Sequence, residues 1–311
     1  MTSVAVGLDQ AAAYLTDHFG SGVSSVEPIG EGDWSRAYAL TVDGRELVAR
    51  FGAHLDDFQK DRLAALWEGP DLPIPQVEQI VEAPGGWCCL SKRLRGEFLD
   101  ELPGDEMAAA LPSLFAMLDT MRAVDLSATT GYGGWGGDGQ GFHPSWRAYL
   151  SDRRDGPSGE RLTGWREALV SSPTGIRPFN EAAEVLDQLT PFCPEERHVI
   201  HSDLLHLNVL VDGPRISAVL DWGCSLYGDF LYDLAWLAFC SPWFPAWSAI
   251  DWHAEGARHL AEIGVPVPDY AERMRAYELH IGLDGMRYNA FRCRHDVLAS
   301  VAAQTLAVAR G

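Results

Sequence analysis

Residues 201 to 208 read His-Ser-Asp-Leu-Leu-His-Leu-Asn, and thirteen residues past Asn208 stands Asp221, in Val219-Leu220-Asp221-Trp222. Phosphoryl transfer needs these groups in this order. A carboxylate such as Asp203 can orient an attacking hydroxyl and accept its proton late in the reaction. An amide oxygen from Asn208 and a second carboxylate from Asp221 are hard oxygen ligands, the kind that hold Mg²⁺ against nucleotide phosphates. Each residue alone has a plain structural reading, since loop Asp and Asn residues often cap turns. The joint spacing favours chemistry over three separate turns.

Positioning such groups takes rigid elements. Val209-Leu210-Val211 and the run from Ile216 to Leu220 are strand-like, and Asp212-Gly213-Pro214 between them predicts a β-hairpin. Its open end would bring Asn208 and Asp221 together. His201 is expected to brace the loop through its ring nitrogens rather than to react. His206 stays outside the catalytic set, because a histidine in such a loop is more often solvent-exposed or hydrogen-bonded.

The rest of the chain supplies two contrasting halves. Residues 8–19 have helical spacing, 26–50 alternate as strands with turns at Gly30-Glu31-Gly32 and Asp43-Gly44, and 57–68 look helical up to Gly69-Pro70. Short strands are expected at 77–81 and 87–91. From Gly96 onward the apolar period is helical, at 107–124 and in parts of 145–151, 160–170, 180–190, 230–240, 255–263 and 271–290. The fold class is therefore α+β: a β-rich lobe over residues 1–95, then a larger, mainly helical lobe over 96–311. Gly131 to Gly141 holds seven glycines in eleven residues but lacks the Gly-Lys-Ser/Thr ending of a phosphate loop, and reads as a flexible surface loop. Residues 151–160 read as a mobile polar stretch.

A net charge of −20 argues against nucleic acid as a partner. It suits a polycationic small molecule, and it equally suits plain solubility. No basic, apolar leader is visible, and the apolar stretch from Phe230 to Trp247 is broken by Asp233, Pro242 and Pro245, so neither secretion nor a membrane span is expected. Six cysteines at 88, 89, 193, 224, 240 and 293 have no framework spacing and read as buried thiols in a reducing cytoplasm.

The motif resembles the catalytic and metal loops of the aminoglycoside phosphotransferase family, whose fold is that of the protein kinases. The resemblance extends through Glu31-Gly32-Asp33-Trp34-Ser35-Arg36-Ala37-Tyr38, Leu72-Pro73-Ile74-Pro75, Thr130-Gly131-Tyr132-Gly133, the stretch from Arg197 to Asp233, and Arg275-Ala276-Tyr277 leading into Ile281-Gly282-Leu283-Asp284. These segments run in order over most of the chain and look most like the family members that act on hygromycin B.

The resemblance implies a two-lobed, monomeric O-phosphotransferase using Mg²⁺ and ATP, or alternatively GTP, on a hydroxyl of an aminoglycoside such as hygromycin B. By matching positions, Asp203 would be catalytic and Asn208 and Asp221 metal ligands. Gly30, Gly32 and Ser35 would lie in the nucleotide-covering loop. Arg50 takes the place of the kinase lysine on the third strand and keeps its charge for phosphates. Its acidic partner would be Asp61, with Asp57 and Glu68 as competitors. Ser91 and Leu94 would bound the hinge near 91–95, Asp229 and Asp233 would buttress the catalytic loop, and Trp243, Glu278 and Asp284 would meet the acceptor.

Leu207 departs from the family's usual glycine, so the loop backbone is expected to differ there. Three rivals remain: a kinase of the same fold for another hydroxylated small molecule, a non-catalytic nucleotide-binding protein, and a metal hydrolase built on His201, Asp203 and His206.

Overall fold

The computed structural model describes residues 6–154 and 161–311. After helix α1 (Leu8–Phe19) come strands β1 (Val23–Glu31), β2 (Ser35–Val42) and β3 (Arg45–Gly52), helix α2 (Leu55–Ala64), then β4 (Val77–Ala83) and β5 (Gly86–Lys92). The five strands form one antiparallel sheet in the order β1-β2-β3-β5-β4. Asp43 and Gly44 join β2 to β3 with φ of 50° and 79°. Two consecutive left-handed residues are the geometry a two-residue hairpin demands. Period-two burial puts Tyr38, Leu40 and Val42 of β2 with Leu47, Ala49 and Phe51 of β3 on one face, where Ala11 and Leu15 of α1 cover them.

The second part begins with β6 (Glu97–Phe98) and α3 (Gly104–Arg122), then β7 (Tyr132–Trp135), β8 (Gly141–His143), α4 (Trp146–Leu150), α5 (Trp165–Ser171) and α6 (Arg177–Leu189). It continues through β9 (His198–Ile200), β10 (Val209–Asp212), β11 (Arg215–Val219), β12 (Leu226–Gly228), α7 (Leu231–Cys240), α8 (Trp252–Glu262), α9 (Tyr270–Phe291) and α10 (His295–Arg310). The expected hairpin is β10–β11, with β6 as a third strand. Helix α9 runs through the core, buried at Arg273 and Met274 and from Ala276 through Leu283. A Cβ at Gly282 would come within 2.2 Å of Thr305 Oγ1, so α9 and α10 pack closer than alanine permits.

Two expectations need correction. The glycine-rich stretch 131–141 is β7 and β8, joined to β12 and β9 in a four-stranded sheet, rather than a flexible surface loop. Trp135 within it is buried and stacks on Tyr227 at 5.3 Å, and Gly137 abuts Gln59 of α2. Its glycines admit close backbone approach: a Cβ at Gly131 would come within 2.3 Å of the Gly141 carbonyl oxygen. The cysteines are all free, but Cys224 and Cys293 are exposed while the other four are buried.

Helix α10 was not expected at all. Of the stretch read as mobile, residues 155–160 lie outside the described residues. No helix among the described residues is long and apolar enough to cross a membrane. Ala64, Leu72 and Ile74 pack into the larger core, so the end of α2 and the segment after it join the helical part.

Candidate active site

The loop from His201 to Asn208 hangs between β9 and β10 and is held from beneath by Asp233, near the start of α7. The Asp233 carboxylate accepts the backbone N–H groups of His201 and Ser202 at 2.8 and 2.7 Å. Burial pushes its carboxyl up to about 6, while His201 and the two N–H donors pull the other way. His201 is wholly buried. Its Nε2 meets the Leu220 carbonyl at 2.8 Å and its Nδ1 accepts the Asp203 N–H at 3.3 Å. That is the bracing arrangement expected of it. Asp229 sits one layer deeper, paired with Arg273 at 2.8 Å and accepting from the Tyr277 hydroxyl.

At the mouth of the loop, Asn208 Nδ2 donates to the Asp203 carbonyl at 2.9 Å and to Asp203 Oδ2 at 3.1 Å. The other carboxylate oxygen, Oδ1, lies 2.7 Å from His206 Nδ1. Hydrogen bonding to Asp203 raises the His206 pKa, against desolvation, with Asp100 and Asp33 adding negative potential. The hairpin brings Asn208 to the open end as expected. The Leu220 N–H donates to the Asn208 carbonyl at 2.7 Å, and Asp221 is the next residue. Asp221 is left-handed, with φ of 55°, and its half-exposed carboxylate accepts from the Gly223 N–H at 3.4 Å.

Arg50 joins this group from the sheet. It pairs with Asp61 of α2, and its Nη1 lies 3.7 Å from Asp221 Oδ2. Asp61 also accepts the Trp222 N–H at 2.9 Å. Burial pushes the Asp61 carboxyl up to about 6 despite Arg50, and Arg50 is held above its ordinary range by the Asp61 and Asp221 carboxylates against its own desolvation. Of the three candidate partners, Asp61 is the one paired. Asp57 instead pairs with Arg161 at 2.6 Å.

Gly30, Gly32 and Ser35 lie at the β1–β2 turn, where the Gly32 N–H donates to the Ser35 carbonyl at 2.9 Å. A Cβ at Gly30 or Gly32 would meet nothing nearer than 3.8 Å, so the protein itself does not require glycine at either position. Asp33 at the tip reaches the helical part, bonding Tyr288, Arg292 and Arg294. Ser91 lies in β5 and Leu94 follows it, in the segment where Lys92 and Arg93 donate their N–H groups to Gln76 and Glu46.

The three expected acceptor residues have separate partners. Trp243 donates to Ser300 at 3.0 Å, Glu278 is buried against His253 at 2.8 Å, and Asp284 pairs with Arg287 at 2.9 Å. Sequence reading missed Asp100, whose Oδ2 accepts the Leu207 N–H at 3.0 Å while its other oxygen is buried without a hydrogen-bond partner among the described residues. It also missed the Asp33 cluster and Lys60. Nothing in local spacing signals any of these, because their partners lie more than a hundred residues away.

The metal expectation can be tested on the donor set. Among the described residues no group of three or more His, Cys, Asp or Glu side chains could hold a metal alone. Asn208 turns its amide nitrogen towards Asp203, and Asp221 keeps a half-exposed carboxylate. One carboxylate and one amide oxygen suit Mg²⁺, which takes its remaining ligands from phosphates and water.

This lobe arrangement and site define a phosphotransferase. The profile of the Phosphotransferase enzyme family matches residues 25–277, and the chain belongs to that family. It is a kinase similar to the aminoglycoside phosphotransferases, with an alcohol group as acceptor. Hygromycin-B 4-O-kinase of Escherichia coli is 34% identical over 276 residues, 87% of this chain and 76% of that protein. The crystal structure of aminoglycoside phosphotransferase APH(4)-Ia matches with a TM-score of 0.83 at 30% identity, covering 98% of this chain and 99% of that one. A thermostable mutant of it, in a ternary complex with AMP-PNP and hygromycin B, matches at 0.81 and 32% identity, covering 95% and 96%.

Proposed function

We propose that this chain transfers the γ-phosphate of ATP to a hydroxyl of hygromycin B. The observation that carries this reading is the pairing of Arg50 with both Asp61 and Asp221, beside the Asn208–Asp203 hydrogen bond at the open end of the β10–β11 hairpin, where the Leu220 N–H meets the Asn208 carbonyl. Asp203 hydrogen-bonds the acceptor hydroxyl, aims it at the phosphorus and takes its proton as the bond forms. His206, now on Asp203 Oδ1, must yield that oxygen to the acceptor. Arg50 holds nucleotide phosphates, and the turn of Gly30, Gly32 and Ser35 offers backbone and hydroxyl donors to them.

Asn208 and Asp221 would hold Mg²⁺, which when bound neutralises charge on the phosphates. The backbone of residues 91–94 reads the purine edge at a hinge between a lobe of residues 1–95 and one of 96–311. Asp284, half-exposed, offers a carboxylate to the acceptor's ammonium groups, whereas Glu278 is already occupied by His253. The ligands in the relative's complex, AMP-PNP and hygromycin B, support both halves of the assignment.

The test is to incubate the protein with Mg·ATP and a panel of hygromycin B, other aminoglycosides and simpler hydroxylated amines, following acceptor mass. Gain of one phosphoryl group by hygromycin B supports the reading. Phosphorylation confined to another amine would move the acceptor and keep the kinase.

A further inference from the structure

Lys60 is one of only two lysines in the chain and is buried, with 5% of its surface exposed. An apolar side chain of the same length would pack there without burying a cation, so its charge calls for an explanation. Its Nζ donates to the Gly223 carbonyl at 2.7 Å and to the Ser225 carbonyl at 3.2 Å, and it lies 4.8 Å from the Trp135 ring centroid. Two carbonyls and an aromatic face satisfy a three-donor ammonium in a dry site. Both carbonyls belong to the turn that immediately follows Asp221.

The adjacent residue grips the same turn from its other polarity. Asp61 accepts the Trp222 N–H at 2.9 Å and pairs with Arg50. Helix α2 therefore holds one short segment by an N–H through Asp61 and by two carbonyls through Lys60. Asp221 itself stands at φ of 55° and ψ of 75°, a conformation that non-glycine residues keep only when their surroundings impose it.

We infer that Lys60 is a positioning residue, fixing the turn after Asp221 so that the Asp221 carboxylate stands in register with Arg50 for metal-bound nucleotide. This rests on the reading of Asp221 as a metal ligand. Lys60 touches neither phosphate nor metal and acts through the backbone of residues 222–225.

The test measures, in the full-length protein, how much ADP raises Tm as Mg²⁺ is titrated, together with steady-state KM for Mg·ATP and for the acceptor. Wild type comes first. If its ADP binding ignores Mg²⁺, the metal assignment of Asp221 fails, and this inference with it. If binding responds to Mg²⁺ but hygromycin B is not phosphorylated, only the acceptor reading fails and the Mg²⁺ titration still decides the role of Lys60. Lys60→Met, which keeps the stem and loses the donors, is expected to raise the Mg²⁺ requirement and the Mg·ATP KM about tenfold, as for loss of a charged hydrogen bond. Acceptor KM stays within about twofold, because Lys60 bonds the turn after Asp221 and faces the Trp135 ring, none of which the proposed function assigns to the acceptor. Lys60→Arg, which keeps charge and donors, recovers most of the Mg²⁺ response.

A Lys60→Met protein with lowered Tm but an unchanged Mg²⁺ requirement would assign Lys60 to fold maintenance and overturn the inference. If Lys60→Met does not fold, Lys60→Gln replaces it. Failure of both to fold would overturn it in the same way.

Discussion

Arg50 and Asp61 form an ion pair that reaches the Asp221 turn from both partners: Asp61 also takes the Trp222 N–H at 2.9 Å, and Arg50 stands 3.7 Å from the Asp221 carboxylate. Both side chains are more than four-fifths shielded from solvent, at 16% and 11% exposure. Removing one partner leaves the other charged and uncompensated. Arg50→Met should therefore raise the KM for Mg·ATP by about ten- to a hundredfold and destabilise the fold by about 3 kcal/mol. Arg50→Lys keeps a point charge without the planar fork and should fall between. Steady-state kinetics with denaturant melts check both; an unchanged Mg·ATP KM in Arg50→Met would contradict the assigned role.

Leu207 is left-handed at φ of 67°, directly after His206 at 63°, and is exposed. A γ-branched side chain gains little from burial there and bears the steric cost of that conformation. Leu207→Gly is expected to be neutral to stabilising by up to about 1 kcal/mol, since relief of strain is partly offset by the freer unfolded glycine. Chemical denaturation measures it. A loss above that size would mean that Leu207 packs to some purpose in solution.

These loop residues mark how far the sequence could be read. The β10–β11 hairpin that brings Asn208 and Asp221 to one end was legible because hairpin geometry acts over short spacings. The sheet lobe was legible for the same reason, from alternation and the Asp43-Gly44 turn. The β7–β8 strands were not, since their glycines remove the side chains that carry a strand's pattern and serve close approach instead. Helix α10 was missed although Leu298, Val301, Ala302, Thr305 and Ala309 are buried at helical spacing. Asp61 was named as the nearest match for the partner of Arg50, but separating it from Asp57 and Glu68 took the tertiary structure. Trp243, Glu278 and Asp284 could be read only as separate residues of a late segment, and each has its own partner in the fold: Ser300, His253 and Arg287.

Asp229 tests the structural half of the account. It is fully buried, with Arg273 bonded to both oxygens at 2.8 and 2.9 Å and Tyr277 adding a third donor. Asp229→Ala should cost about 3–5 kcal/mol by stranding the Arg273 charge. Activity per folded molecule should change far less than stability. Calorimetry alongside active-site titration separates the two, and a stable but inactive Asp229→Ala would place it in the chemistry instead.

His280 makes stability depend on pH. It is buried beside the Tyr232 hydroxyl at 2.9 Å, and burial, with Arg153 and Arg287 adding, lowers its pKa from 6.5 to about 4. Above pH 6.5 both folded and unfolded chains carry it neutral, and nothing is lost. As pH falls below 6.5 the unfolded chain takes up a proton that the folded chain refuses, so stability drops until about pH 4, by up to about 3 kcal/mol in total. Asp61 and Asp233, pushed up to about 6, work in the opposite sense over part of that range. The comparison of wild type with His280→Gln isolates the histidine: the variant should lack this component. Parallel stability curves for the two proteins from pH 7 to 4 would contradict it.

Mass spectrometry of hygromycin B after incubation with Mg·ATP and either wild type or Asp203→Asn tests the central claim most directly, with nucleotide binding followed in both. The account predicts phosphorylated antibiotic from wild type, loss of at least about a thousandfold in the variant, and ADP affinity retained because Asp203 does not hold the nucleotide. Undiminished transfer by Asp203→Asn would contradict it.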